Sequence, residues 1–177
     1  MIDTNELIRR NAGFAEGGSF AGLRLAPSGS LTVIGCVDPR VDPSAMLGLE
    51  LGEAGVIRNV GGRVTPATLR TLGMLAKVVQ ARTGGGPGPA DNHYVVLQHT
   101  DCGITDLPPF PELLADYFEV PAEDLAAKAV TDPFAAVRLD VDLLKRHLRA
   151  GVFVSGLVYD VATGLVDVVV PPARVAA

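Results

Sequence analysis

The sequence predicts an α/β fold in one domain, with about four parallel strands and an antiparallel edge strand flanked by helices. Short apolar runs rich in β-branched residues alternate along the chain with segments of helical period. Strands and helices that alternate in this way form right-handed crossover units, which place parallel strands side by side. The chain has 177 residues. Because that length is usual for one domain, we expect a single domain over 1–177.

The predicted parallel strands are the apolar runs Leu31–Cys36, 55–58, 94–99 and 152–161. Continuous apolar runs of this kind are typical of strands that are covered on both faces. The run 165–170 follows Thr163-Gly164, so we expect it to return as a hairpin and to form the antiparallel edge. We expect Pro171-Pro172 to end that strand, because proline cannot donate a hydrogen bond to a sheet.

Two segments of helical period have recognisable ends. In Pro66–Arg82, Thr65 followed by Pro66 is typical of an N-cap and a first helical residue. In 133–149, Asp132 is the expected N-cap and Gly151 the expected stop. These helices would cover the two faces of the predicted sheet.

The two segments outside this pattern are the N-terminus and the stretch 83–92. Apolar residues share one side of 4–17 and have little else to anchor them, so we expect residues 1–20 to form a helical arm that packs on a partner subunit. The stretch 83–92 is rich in glycine and proline, which favours a flexible surface loop. It lacks the lysine and the serine or threonine that follow the glycines in a phosphate-binding loop.

The composition excludes several classes of function. The net charge is -5 and the pI is near 5.1, which argues against nucleic-acid binding because phosphate backbones are bound by basic surfaces. No apolar stretch approaches the roughly 20 residues that span a bilayer, so we expect no membrane span. The polar N-terminus does not resemble a signal peptide, and two cysteines do not suggest a disulfide framework. We therefore expect a cytoplasmic protein.

Potential metal ligands end two of the predicted strands. The first strand ends in Cys36 and the third in His99, and Cys102 follows shortly after. Ligands collect at the carboxyl ends of parallel strands, so these side chains can meet if the strands are neighbours. Two thiolates and one imidazole with an open fourth position are typical of catalytic zinc, although two buried core cysteines are the alternative.

Two charged residues follow the first ligand. Asp38 and Arg40 lie close behind Cys36, so a carboxylate could orient a reactive water while the guanidinium clamps it in a bidentate pair. A purely structural ion pair is the alternative. Asp38 is also a candidate fourth zinc ligand in a closed state.

Asn59, Gly61 and Gly62 lie between the second strand and the helix that begins at Pro66. They are either a turn in which glycine permits positive φ or a cradle for an anionic product near a helix N-terminus. We predict that they bind substrate. His93 and His147 are assigned no role.

These motifs resemble those of the β-class carbonic anhydrases, in particular their short archaeal and actinobacterial members. The resemblance is carried by C-x-D-x-R at Cys36, by H-x-x-C at His99, by R-N-x-G within 56–62 and by G-x-x-x-D-x-x-T-G over 156–164. Two features depart from the family. The plant-type enzymes have a glutamine where this chain has 27–30, and the tryptophan of a bicarbonate site in some bacterial members is missing here.

The resemblance implies a Rossmann-like fold and one Zn²⁺ per chain, held by Cys36, His99 and Cys102. It also implies an Asp38–Arg40 dyad and a homodimer or a higher oligomer built from dimers. The implied activity is reversible hydration of carbon dioxide, a small-molecule substrate, to bicarbonate by attack of zinc-bound hydroxide. The alternatives are hydrolysis of carbonyl sulfide or carbon disulfide at the same site and a zinc-binding protein without turnover.

Overall fold

A computed structural model describes residues 1–82, 84 and 91–176. Its centre is a five-stranded sheet in the order β2-β1-β3-β4-β5. The strands are β1 (Leu31–Cys36), β2 (Ala54–Asn59), β3 (His93–His99), β4 (Phe153–Tyr159) and β5 (Val166–Arg174). The first four are parallel and β5 is antiparallel to β4, which confirms the predicted fold. Of the predicted loop 83–92, residues 83 and 85–90 lie outside the described residues.

One predicted strand end is wrong. β5 continues through Pro171 and Pro172 to Arg174, and Ala173 and Arg174 pair with Val154 and Phe153. Because β5 is an edge strand, prolines can face outward where no neighbouring strand needs a donor. The pairing of β5 with β4 shifts register on both sides of Gly156, so the strand bends while it continues.

The helices are α1 (Thr4–Glu16), α2 (Pro43–Leu47), α3 (Pro66–Arg82), α4 (Pro111–Phe118) and α5 (Pro133–His147). The predicted N-caps are confirmed: Asp132 accepts from the backbone N–H groups of Phe134 and Ala135, and Thr65 accepts from that of Thr68. The predicted stop at Gly151 is wrong. α5 ends two residues before the predicted 149, with Leu148 as its C-cap. No helix among the described residues is long and apolar enough to cross a membrane.

The main core lies between α5 and one face of the sheet. Val137, Val141 and Leu144 of α5 are fully buried against Ile34 and Val96 of the two central strands. A second cluster, which includes Cys36 and Cys102, packs against residues of α4 at the carboxyl edge of the sheet. The central strands are therefore fixed from both sides close to the point where they end.

Candidate metal centre

The candidate site lies at the carboxyl edge of the sheet, where β1 and β3 are parallel neighbours. Cys36 is the last residue of β1 and His99 the last of β3, so adjacent strands carry both to the same edge. Cys102 immediately precedes a 3₁₀ turn that follows β3. All three side chains are buried. Their ligand atoms lie within 4.8 Å of one another, an arrangement that could hold a metal ion.

The orientation of His99 is fixed by a hydrogen bond to its neighbour. Nδ1–H donates to the backbone carbonyl of Thr100 at 2.9 Å, which leaves the lone pair on Nε2. Nε2 is buried and has no hydrogen-bond partner among the described residues. A carbonyl that accepts from one imidazole nitrogen and leaves the other free is the usual arrangement behind a metal-bound histidine.

The spacing of the two sulfurs fits zinc. Two thiolates about 2.3 Å from a tetrahedral zinc ion lie about 3.8 Å apart, and Cys36 Sγ and Cys102 Sγ are 3.7 Å apart. Neither cysteine is in a disulfide. With the unpartnered imidazole nitrogen, the donor set is the one that zinc favours among protein ligands. The residues present therefore fit the metal.

The two thiols have different affinities for a proton. Its contact with Cys102 lowers the pKa of Cys36 to about 4 although burial opposes it, and His99 and the backbone N–H groups of Asp38 at 3.5 Å and Gly61 at 3.3 Å add smaller effects. The pKa of Cys102 is raised by its bond to Cys36 and by burial. Cys36 is therefore the more acidic of the two thiols, and two backbone N–H groups help to stabilise its thiolate.

Asp38 and Arg40 form a pair beside Cys36. Arg40 donates from Nη2 to Asp38 Oδ2 at 2.8 Å and from Nε to Oδ1 at 3.1 Å, and its backbone N–H donates to Oδ1 at 2.9 Å. These hydrogen bonds hold the pKa of Asp38 at about 2. Asp38 is thus a permanent carboxylate near neutral pH, and it lies in the loop that leaves Cys36.

Arg58 also holds the loop that leaves Cys36, a role that the sequence did not predict. Its guanidinium donates to the backbone carbonyls of Cys36 at 2.8 Å and Asp38 at 2.7 Å, and it forms an ion pair with Asp42 at 3.0 Å. The R-N-x-G motif contained this residue, but a motif does not show which carbonyls a side chain reaches. Arg58 fixes the backbone on which both Cys36 and Asp38 depend.

The residues predicted to bind substrate form a tight turn behind Cys36. Asn59 Nδ2 donates to the Arg63 carbonyl and to Thr68, and its Oδ1 accepts from the Arg63 N–H, so its amide is used within the turn. Gly61 is at φ 77°, and its N–H donates to Cys36 Sγ at 3.3 Å. A side chain at Gly62 would lie 2.8 Å from the Leu97 carbonyl. The turn therefore requires glycine at both positions.

A second arginine and aspartate are paired behind this turn. Arg63 Nε donates to Asp140 Oδ2 at 2.7 Å, and the same oxygen accepts from the Val64 N–H and from Gln98 Nε2. Both charged residues are buried, and Arg63 also lies over the ring of Phe118. The sequence analysis missed this pair, which joins the turn to α5 and to the residue before His99.

Comparison with known proteins gives consistent results. The carbonic anhydrase family model matches residues 31–107, which include all three candidate ligands. Beta-carbonic anhydrase 1 of Mycobacterium tuberculosis is 30% identical over 181 residues, covering 97% of this chain and 100% of the relative. Beta carbonic anhydrase 6, mitochondrial, of Arabidopsis thaliana is 36% identical over 90 residues, covering 48% of this chain and 28% of the relative.

Solved structures show the same similarity. A carbonic anhydrase from Streptococcus mutans superimposes with a TM-score of 0.69 at 32% identity, covering 96% of this chain and 99% of that one. The apo form of a carbon disulfide hydrolase superimposes with a TM-score of 0.59 at 23% identity, covering 93% of this chain and 90% of that one. At that identity the second comparison shows a shared fold alone.

Proposed function

The chain belongs to the β-carbonic anhydrase family, and we propose that Cys36, His99 and Cys102 bind the single zinc ion of its active site. The protein is a zinc enzyme that hydrates carbon dioxide reversibly to bicarbonate. The observation that supports the ligand assignment is the buried triad itself, with its sulfurs 3.7 Å apart and an unpartnered His99 Nε2. When bound there, zinc lowers the pKa of water at its open position and so supplies a nucleophile near neutral pH.

We propose that Asp38 orients the attacking water and does not remove its proton. A carboxylate with a pKa of about 2 is a weak base at neutral pH, but its negative charge makes it a strong hydrogen-bond acceptor. Arg40 fills Oδ1 with two donors, its backbone N–H and Nε, whereas Oδ2 has Nη2 at 2.8 Å as its one close donor. Because a carboxylate oxygen accepts more than one hydrogen bond, Oδ2 keeps an acceptor position for the water.

We further propose that Asn59, Gly61 and Gly62 form the wall of the pocket that receives substrate and product. The Asn59 amide is already used inside the turn, so its part is to hold the backbone of the two glycines in place. The absence of side chains at Gly61 and Gly62 lets this backbone approach Cys36 closely. We also propose a closed state in which Asp38 becomes a fourth ligand after Arg40 releases it.

The decisive experiment is substitution of a proposed ligand. Cys36→Ser should lose zinc, and its kcat/KM for carbon dioxide hydration should fall by more than the roughly 100-fold that loss of an outer-shell partner can cost. Zinc is measured per chain by elemental analysis, and hydration by a stopped-flow pH-indicator assay. Sulfide release from carbonyl sulfide is measured in parallel. Full activity of Cys36→Ser, or of wild-type protein without zinc, would contradict the assignment.

We propose that the protein acts as a homodimer or as a higher oligomer built from dimers, with residues 1–20 as an arm of the single domain 1–177. α1 has no buried residue, and its Leu7, Ile8 and Phe14 are exposed. Among the described residues, an apolar groove of about 510 Å³ is lined by side chains of α3, β2 and the segment before β1. An amphipathic arm and an apolar groove on one chain are complementary between two copies.

Light scattering tests the dimer. Ile8→Glu should shift the protein towards monomer, and Asn11→Glu, an exposed polar position on the same helix, should not. Equal masses for both variants would contradict the proposal that α1 forms part of the dimer contact. We propose that the protein is cytoplasmic, because thiols are kept reduced there and the two free cysteines, with sulfurs 3.7 Å apart, stay available as metal ligands.

A further inference from the structure

Asp101 contacts Arg40 twice, although its own side chain is 75% exposed. Arg40 Nη1 donates to Asp101 Oδ2 at 2.7 Å, and Arg40 Nη2 donates to the Asp101 backbone carbonyl at 2.8 Å. Asp101 lies between two of the proposed ligands, His99 and Cys102. It therefore connects the segment that carries two ligands to the loop that carries Asp38.

We propose that Asp101 is a positioning residue that holds Arg40, and through Arg40 holds Asp38, in the orientation needed for hydration. This inference rests on the role proposed for Asp38 above. One edge of the Arg40 guanidinium faces Asp38 through Nε and Nη2, and Nη1 and Nη2 face Asp101. With both edges occupied, the guanidinium cannot rotate without breaking contacts on both sides.

The exposure of Arg40 explains why a second anchor matters. Its side chain is 48% exposed, and isolated exposed ion pairs of long side chains hold their geometry weakly. A network of several charges with bidentate contacts is the exception. Asp101 turns the exposed pair of Asp38 and Arg40 into such a network.

The backbone of Asp101 is specialised for this contact. It has φ 52°, in the left-handed region that residues other than glycine rarely adopt and that aspartate and asparagine tolerate better than most. The buried side chains of His99 and Cys102 hold the chain on either side of it. In this conformation the carbonyl and the carboxylate of one residue both reach the same guanidinium.

Two substitutions separate the side chain from the backbone. Asp101→Asn keeps the shape and the left-handed conformation but removes the charge, whereas Asp101→Gly removes the whole side chain and leaves the carbonyl. Outer-shell partners of a metal site contribute roughly 10- to 100-fold, so we expect kcat to fall about 10-fold in Asp101→Gly and less in Asp101→Asn. KM and zinc content should stay unchanged. Asp106→Asn, an exposed position in the following turn, is the matched control.

The hydrogen bonding of the Arg40 guanidinium can also be measured directly, without an activity assay. In ¹⁵N spectra of the arginine side chains, the Nε–H signal of Arg40 is the one missing from Arg40→Lys. We expect this signal to exchange slowly with water in wild-type protein, faster in Asp101→Asn and fastest in Asp101→Gly, with zinc present or removed. Asp106→Asn should match wild type.

The outcomes separate this inference from the proposed function. Slow Arg40 exchange and normal kcat in Asp101→Gly, together with a reduced kcat in Arg40→Lys, would overturn the role of Asp101 alone. Loss of zinc from Asp101→Gly would also overturn it, because Asp101 would then act on Cys102. An unchanged kcat in Arg40→Lys would instead overturn the role proposed for Asp38 and Arg40, on which the inference rests.

Discussion

Two of the ion pairs between arginine and aspartate in the described part of the chain have similar contacts and different surroundings. Arg40 and Asp38 meet at 2.8 Å with side chains 48% and 15% exposed, whereas Arg63 and Asp140 meet at 2.7 Å with side chains 2% and 5% exposed. The first pair borders the candidate metal centre, and the second lies behind the turn that supports it. Because the contacts are nearly equal in length, burial is what distinguishes the pair beside the centre from the pair that supports the turn.

Burial makes the second pair costly to disturb. Desolvation raises the pKa of Asp140 even though Arg63 lowers it, so the ionised form depends on every donor it has. Those donors are Arg63, the Val64 N–H and Gln98. Arg63 Nη1 is buried without a partner among the described residues, so the guanidinium depends in turn on Asp140. Removal of either charge would leave the other uncompensated.

The largest expected effect is therefore on stability at the buried pair. Asp140→Asn keeps the shape of the side chain and removes its charge, and breaking a buried pair in this way costs about 3 to 5 kcal/mol of the free energy of unfolding. Urea unfolding followed by circular dichroism measures this loss. A loss smaller than about 1 kcal/mol, the range of an exposed pair, would show that Arg63 and Asp140 behave like the exposed pair beside the metal centre.

A double substitution sharpens the same test. Arg63→Met with Asp140→Leu replaces both charges by apolar side chains, and such replacements are often much less harmful than loss of one partner. We expect the double variant to be more stable than Asp140→Asn. The remaining deficit would come from Gln98, the Val64 N–H and the Lys128 carbonyl, which lose their partners. A double variant that is less stable than Asp140→Asn would contradict this explanation.

The exposed pair should show the opposite pattern. Arg40→Lys keeps the charge but removes the bidentate contact, so kcat/KM should fall by roughly 10- to 100-fold, as for other outer-shell partners of a metal. The free energy of unfolding should change by less than about 1 kcal/mol, because the pair is partly exposed. Stopped-flow assays and urea unfolding measure both quantities. A large loss of stability with normal activity would reverse the comparison.

The sequence predicts the ligands of the metal centre better than it predicts the buried ion pair behind them. Cys36 and His99 follow apolar runs, and parallel strands bring such residues to one edge whatever the loops do. Arg63 and Asp140 are 77 residues apart, and no local pattern pairs them. Their partnership depends on how α5 packs across the sheet. A strand-breaking rule wrongly ended β5 at Pro171, although the strand was predicted as an edge, where proline is tolerated.

The smallest expected effect concerns Tyr117, which touches the turn between the two pairs. Its hydroxyl donates to the Val60 carbonyl at 2.6 Å, and Val60 begins the turn that ends at Arg63. Tyr117→Phe removes one hydrogen bond and should lower the free energy of unfolding by about 0.5 to 1.5 kcal/mol. Tyr94→Phe, at a half-buried position near the far end of β3, is the matched control.

Activity distinguishes two explanations of how this turn is held. The turn is also held by the hydrogen bonds of Asn59 and by the buried ion pair of Arg63. If these contacts are enough to hold the turn in place, Tyr117→Phe will leave kcat and zinc content unchanged. Gly61 would then still donate to Cys36 Sγ. A roughly 10-fold fall in kcat, the lower range for outer-shell partners, would instead show that α4 positions the turn. In that case the buried pair would not be the main support of the centre.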